Sequence, residues 1–400
     1  MRSTTSARAA SVLVIVLGLL LARALTAQAA STSGWPLTVA MHYGAADHAS
    51  GYSAVVAPGR TDVWALGGTN PGGGSAPAAL HWNGVRWQSW PLPPRLTGFI
   101  GDASAPSARD IWAVSYSAGY ALHWNGERWS VAKRWHQHDV LTGVTALSPA
   151  DVWVFGTSTD GVRGMGTWHF DGRTWARAQG RAKQIYRASA VSARDIWAVA
   201  ATRRGGFVEH YDGHAWRYVA TGRMLVRASL DDVLAVSRHN VWVVGNVRAP
   251  GSEGRLVIAH FDGRNWTRTL TPWHADTGRL APDGYGGAWI TADASGVRAE
   301  AFIARVSARG KLLAWSTLRQ GTGSGVSDIA AGRHTKAVWL SGGFLTKAGG
   351  DAAIWSHGGH GRSRATRAVH KVRPEGPLVV RSWRLDLAAL LWPSHPPAIT

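Results

Sequence analysis

The octapeptide SARDIWAV stands at Ser107–Val114 and again at Ser192–Val199. A catalytic motif has no reason to be spelled twice in one chain. A structural unit does, so the pair is read first as a repeat. Loosened to Asp or Asn, a β-branched residue and Trp, the pattern recurs at Asp62-Val63-Trp64, Asp110-Ile111-Trp112, Asp151-Val152-Trp153, Asp195-Ile196-Trp197 and Asn240-Val241-Trp242. Weaker copies are Ala288-Trp289 and Val338-Trp339, and successive tryptophans lie 41 to 50 residues apart. A second motif follows: HWNGVRW (His81–Trp87), HWNGERW (His123–Trp129), HFDGRTW (His169–Trp175), HYDGHAW (His210–Trp216) and HFDGRNW (His260–Trp266).

Each repeat reads as strands. In the third, LTGVTALS (Leu141–Ser148), DVWVFGTS (Asp151–Ser158), GTWHF (Gly166–Phe170) and TWARA (Thr174–Ala178) carry the alternation and the β-branched and aromatic content of strands. The Asn-Gly and Asp-Gly steps predict two-residue hairpin turns. In SARDIWAV, Ser-Ala-Arg-Asp is the turn from first to second strand, with Asp110 and Asp195 expected to cap it through backbone N–H groups. Ile, Trp and Val then fill the space between units. The five motif histidines are expected to hydrogen-bond locally, since five equivalent positions in five units lie too far apart to share a metal.

A four-stranded unit of about 45 residues, repeated, is a propeller blade. The sequence predicts an all-β, seven-bladed β-propeller of four-stranded antiparallel blades. The last blade lacks a clear fourth strand, and GWPLTV (Gly34–Val39) supplies one, so the N-terminal strand is expected to close the ring against Ala352–Ser356. Closure of this kind removes an exposed edge.

The repeats resemble secreted bacterial propeller repeat proteins of the broad kelch, Asp-box and WD-like class over residues 35–359. The resemblance is to an architecture. An Asp-box has an extra residue between Asp and Gly, whereas Asp171 and Gly172 are adjacent. The Phe-Arg-Ile/Leu-Pro motif of sialidases is absent, as is the cysteine that galactose oxidase needs. No catalytic residue carries over.

The chain has 400 residues and no cysteine, which excludes disulfides, Cys-ligated metals and thiol nucleophiles. The net charge is +19, carried almost wholly by Arg. Arg over Lys with abundant Ala and Gly is what a GC-rich genome writes, and adhesion to an anionic surface is the functional alternative. Arg2 and Arg8, the apolar run Ser11–Ala22 and Ala27-Gln28-Ala29 form a signal peptide over residues 1–29, so the protein is expected to be secreted or extracytoplasmic. Membrane attachment enters only if that segment stays uncleaved. Residues 34–359 are the propeller. Residues 360–400 form a basic C-terminal tail read as a linker or flexible segment, with WRLDLAALLWP (Trp383–Pro393) a short helix or surface-seeking piece within it.

Two places are candidates for function. The irregular loops between second and third strands and between blades share one face, and they carry Trp90, Trp135, His136, His138, Trp273 and His274. These suit exposed stacking anchors for a sugar or a partner, and the alternative is that they pack as loop residues against the blades. Counting back from each motif Trp gives Ala54, Asp102, Gly143, Arg187, Asp232, Arg279 and Asp328, which should ring the central channel. Mixed acid and Arg there suits an anionic or polyol ligand or a network of ion pairs. The expectation is a monomeric, exported, non-catalytic binding or scaffold propeller without cofactor, whose extracellular ligand is a glycan, cell-wall polymer or protein. Export and the dispersion of Arg disfavour nucleic acid. The alternative is a propeller hydrolase or lyase acting on glycans through Asp102, Asp232 and Asp328.

Overall fold

The computed structural model describes residues 34–42, 51–69, 75–136, 139–158, 165–178, 185–202, 205–222, 224, 225, 227–248, 254–293, 301–318, 322–333, 335–346, 349–358 and 366–369. Among these the strands form seven sheets, each a meander running outward from the channel. The blades span residues 51–89, 100–134, 139–178, 185–219, 228–274 and 277–318, and the seventh joins 322–357 to the N-terminal strand Leu37–His42. The expected signal segment and residues 370–400 lie outside the described residues.

The second strand of a blade is flanked by strands on both edges and by blades on both faces, so it reads as an unbroken apolar run. Asp110–Ser115 is buried at every position. The motif tryptophans occupy one register in all seven blades. Trp64 faces His81, Trp112 faces His123, Trp153 faces His169, Trp197 faces His210 and Trp242 faces His260. Trp289 faces Arg305 and Trp339 faces Ser356, which completes the seven.

Seven apolar clusters hold the ring, each shared by two neighbouring blades. The cluster between the first and second blades joins Trp64 and Leu66 to Ile111, Leu122 and Trp124. That between the sixth and seventh joins Ile303 and Leu318 to Leu340 and Trp355. Each fully buried Leu, Ile or Val contributes about 1.5–3 kcal/mol by leaving water. No blade buries its faces alone.

The N-terminal strand closes the ring as expected. Leu37 pairs with Trp355, Val39 with Ile354, Ala40 with Ala353 and Met41 with Ala352, antiparallel. Thr38 Oγ1 donates to the Ile354 carbonyl at 2.8 Å. Trp35 reaches back to the sixth blade, donating from Nε1 to Ser316 Oγ at 3.1 Å and meeting Trp289 edge-on at 5.7 Å. Closure also extends into the expected tail. Residues Thr366–Val369 form a fifth strand, parallel to Leu37–His42, along the edge that strand would otherwise leave open.

Two turns differ from expectation. The hairpin loops hold four residues, not two, because pairing stops at Trp82–Trp87 and its equivalents. Asn83 Oδ1 accepts from the amides of Val85 and Arg86, each at 3.0 Å, and Asp171 does the same for Arg173 and Thr174. Gly follows with φ near +90°, a value that a side chain would strain: +91° at Gly84 and +89° at Gly172. In SARDIWAV the cap is the serine. Ser107 Oγ accepts from the Arg109 amide at 3.2 Å and Ser192 Oγ from the Arg194 amide at 3.3 Å. The aspartate turns inward to the histidine instead.

Candidate functional site: the channel ring

The motif histidines and aspartates build a joint that repeats from blade to blade. Asp110 Oδ1 accepts from His123 Nε2 at 2.8 Å and from Trp112 Nε1 at 2.9 Å. A carboxylate only accepts, so the Nε2 proton is fixed. The imidazole stacks on its own blade's tryptophan at 4.3 Å. The same joint appears at Asp62–His81, Asp151–His169 and Asp195–His210. In the fifth blade Asn240 replaces the acid, and burial pushes His260 below its usual value. In the sixth, Arg305 stands where the histidine would be. It lies over Trp289 at 5.7 Å and bridges to Asp283 at 3.1 Å. The acid has moved into the turn, which is why the sequence motif fades there.

The channel positions come from a second regularity. Ala54, Asp102, Gly143, Arg187, Asp232 and Asp328 each follow a register shift in the innermost strand. Such bulges turn a side chain out of the alternation. Asp102, Arg187, Asp232 and Asp328 converge on the channel and help to line a cavity of about 520 Å³. Three of them join blade to blade. Asp102 Oδ2 accepts from the Val144 amide at 2.8 Å, Asp232 Oδ2 from Leu280 at 2.9 Å and Asp328 Oδ2 from Val55 at 2.9 Å. In each case the donor is the free edge of the next blade's innermost strand. Two residues further along, Ser104 and Ser189 repeat the device, accepting from the amides of Ala146 and Ala235 at 3.0 Å.

Arg187 forms a buried ion pair with Asp102. Burial opposes its charge, but Asp102, Asp328 and Asp232 outweigh this and hold the guanidinium above its ordinary value. Burial raises the acids: Asp102 is pushed up to about 6 despite Arg187, and Asp232 and Asp328 are raised as well.

Arg279 keeps the ring register without a bulge: it pairs with Thr291, two residues past the motif Trp, as Asp102 pairs with Val114 and Gly143 with Phe155. Arg279 Nη1 donates to the Gly278 carbonyl at 3.0 Å, and its charge acts on Asp231, Asp293, Asp232 and Asp328. Asp231 is the extra residue of the fifth blade's bulge and accepts from the Gly278 amide at 3.1 Å. Burial raises both Asp231 and Asp293 to about 7. The sequence reading missed these two, along with Ser104, Thr145 and Ser189 in the channel wall. The adjacent Asp231-Asp232 pair was the one visible signal for the bulge.

Of the two readings of the loop tryptophans, packing against the blades is the one the structure bears out. Trp273 is 8% exposed and stacks on Phe302 at 5.8 Å. Trp135 packs edge-on to Trp175 at 5.4 Å, and Trp90 does so to Trp64 at 5.5 Å. These indoles complete the inter-blade clusters from the ends of the outer strands. Trp90 keeps one partly open flank, beside a rim groove of about 530 Å³ with Pro91, Pro93 and Trp129. His136 and His274 are exposed, and His138 lies outside the described residues.

Fold and site define a seven-bladed β-propeller with a polar channel. No family model matches the chain, and no curated protein matches it. Solved structures share its architecture. The chain is similar to the WD40 repeats of RRP9, with TM-score 0.58 and 9% identity over 82% of this chain and 99% of that one. It is similar to YCF48 bound to D1 peptide, with TM-score 0.54 and 13% identity over 86% and 98%. A catalytically inactive virginiamycin B lyase from Staphylococcus aureus with quinupristin gives TM-score 0.52 and 11% identity over 77% and 95%. At these identities the likeness is one of fold.

Proposed function

We propose that this is an exported, non-catalytic binding propeller whose ligand seat is the central channel, and that the ligand is a small hydroxyl-rich molecule of the glycan class. The carrying observation is the channel itself. Asp102, Arg187, Asp232 and Asp328 meet around a cavity of about 520 Å³ whose wall also holds Ser104, Thr145 and Ser189. That size falls within the range of small-ligand pockets, roughly 300–1,000 Å³. Ser104 and Ser189 accept backbone bonds, which leaves their hydroxyl protons free to donate to a polyol. Export rests on the composition of residues 1–29.

The glycan-enzyme reading needs free carboxyls for acid–base work. Asp102, Asp232 and Asp328 each have an oxygen occupied by a neighbouring blade's amide, which favours binding and scaffolding. Titration calorimetry against a panel of short glycans tests the proposal. Val191, exposed at the turn-side mouth of the channel, is the residue to change. Val191→Trp should weaken binding at least tenfold without shifting the melting temperature. Binding unaffected by the blocked mouth would overturn the channel reading. Turnover of a glycan that disappears in the Asp→Asn variants would favour the enzyme.

A further inference from the structure

The arginines look dispersed along the sequence, but the fold gathers them. In an antiparallel meander the first and third turns of every blade lie at one end, so the short turns of all seven blades form one face around the channel mouth. The turns from first to second strand carry Arg60, Arg109, Arg194, Arg238, Arg333 and Lys336, all exposed. The turns from third to fourth carry Arg86, Arg128, Arg173, Arg264, Arg309 and Lys311, also exposed. The opposing carboxylates in the hairpin turns are Glu127 and the turn-capping Asp171, Asp212 and Asp262. Asp62, Asp110, Asp151 and Asp195 are paired with the joint histidines.

Some of these cations are held in place. A Cβ on Gly126 would lie 3.0 Å from the Arg109 side chain, and one on Gly213 would lie 2.6 Å from that of Arg194. The hairpin glycines thus seat the arginine stems of the neighbouring turn. Two turn tips are apolar, with Val85 79% and Tyr285 70% exposed. Tyr285 lies against the Arg305 guanidinium at 5.2 Å.

We propose that this short-turn face docks on an anionic lipid surface. The cations are spread around a full circle, with no stripe or groove to follow a linear polymer, so their complement is a planar negative surface. Val85 and Tyr285 stand where tips would enter the headgroup layer, as interfacial aromatic residues do. Cations at a membrane surface act independently at roughly fivefold each, about 1 kcal/mol.

The test is co-sedimentation of the full chain with phosphatidylglycerol–phosphatidylcholine vesicles. The face variant is Arg109→Glu, Arg194→Glu and Arg238→Glu together. The control is Lys133→Glu, Arg134→Glu and Arg268→Glu on outer strands, with the same net-charge change. Circular dichroism melts establish that each variant folds, and Tyr285→Ser serves as an uncharged second probe. The face variant should lose on the order of a hundredfold in partitioning, the control threefold or less, and Tyr285→Ser severalfold. Wild-type binding should vanish on pure phosphatidylcholine. Equal losses in face variant and control would reduce the effect to net charge and overturn the proposal. Binding to soluble polyphosphate as tight as to vesicles, and indifferent to Tyr285→Ser, would also overturn it and assign an anionic polymer instead.

Discussion

Arg187 of the fourth blade pairs with Asp102 of the second by passing over Gly143 of the third. A Cβ on Gly143 would lie 3.2 Å from Asp102 Oδ2 and 3.0 Å from the Tyr186 carbonyl, so the glycine is the space through which the pair forms. Removing one partner of a buried pair leaves the other charge uncompensated, at a cost of about 3–5 kcal/mol. Arg187→Met should therefore destabilise strongly at pH 7.5 in urea melts. The loss should shrink at pH 5, where Asp102 takes up a proton. A loss independent of pH would mean that the pair's charge is not what matters.

The raised acids set an unusual pH dependence. Asp231 and Asp293 go from the ordinary 3.8 to about 7 through burial, and Asp102 to about 6. Between the unfolded and folded values the native state binds more protons than the unfolded chain, so stability falls as pH rises through that window. Urea melts should show the fold gaining stability on acidification from pH 7 to pH 5. Asp293→Asn should raise stability at pH 7.5, by on the order of 1 kcal/mol, and flatten the slope. A stability that drops steadily from pH 7 to 5 would contradict this.

Trp273 separates a packing role from a binding one. It is 8% exposed and stacked on Phe302. Trp273→Ala should cost about 3–5 kcal/mol, like a motif tryptophan such as Trp112. Thermal melts of the two variants side by side check this. Unchanged melting of Trp273→Ala would return that indole to the surface.

The blade count, the register of the seven tryptophans and the closing strand were legible because each repeat must bury both faces. That need fixes apolar spacing in the sequence. The ring positions were legible too, since six of them lie ten residues before the motif Trp and Asp328 lies eleven before it. What the sequence hid was direction. A bulge re-aims Asp232 and leaves Asp231 beside it, whereas the sixth blade reaches the same register at Arg279 without one. Trp135 follows an outer strand and Trp273 lies near the end of one, and nothing local tells an indole folded back on a blade from one facing water. The turn-face arginines were visible singly. Their gathering follows only from the meander.

The sixth blade offers a test of the joint's chemistry. Arg305 replaces the histidine, and its carboxylate partner, Asp283, has a side chain only 1% exposed. Arg305→Ala leaves that acid buried beside its turn and should cost about 3 kcal/mol or more. In Asp283→Asn the same arginine change should cost much less. The difference, read from a double-mutant cycle in urea, should exceed 1 kcal/mol, and additive losses would show that the two act separately.

Ring closure is the last and most direct prediction. The strand Leu37–His42 covers the edge of Gly349–His357 and in turn receives Thr366–Val369. Trp35 ties that strand to the sixth blade through Ser316 and Trp289. Deleting residues 34–39 removes the first half of the strand, with the Leu37 and Val39 pairs, and the Trp35 indole together. It leaves an open strand edge, which is a template for pairing with other chains. Trp35→Ala alone should cost about 3–5 kcal/mol through the cavity it leaves. The deletion should cost more and cause aggregation on warming, visible as light scattering that begins below the wild-type melting temperature. The point substitution should melt early without that early scattering, because the edge remains covered. If the deletion melts and scatters like the wild type, the seventh blade closes without the N-terminal strand.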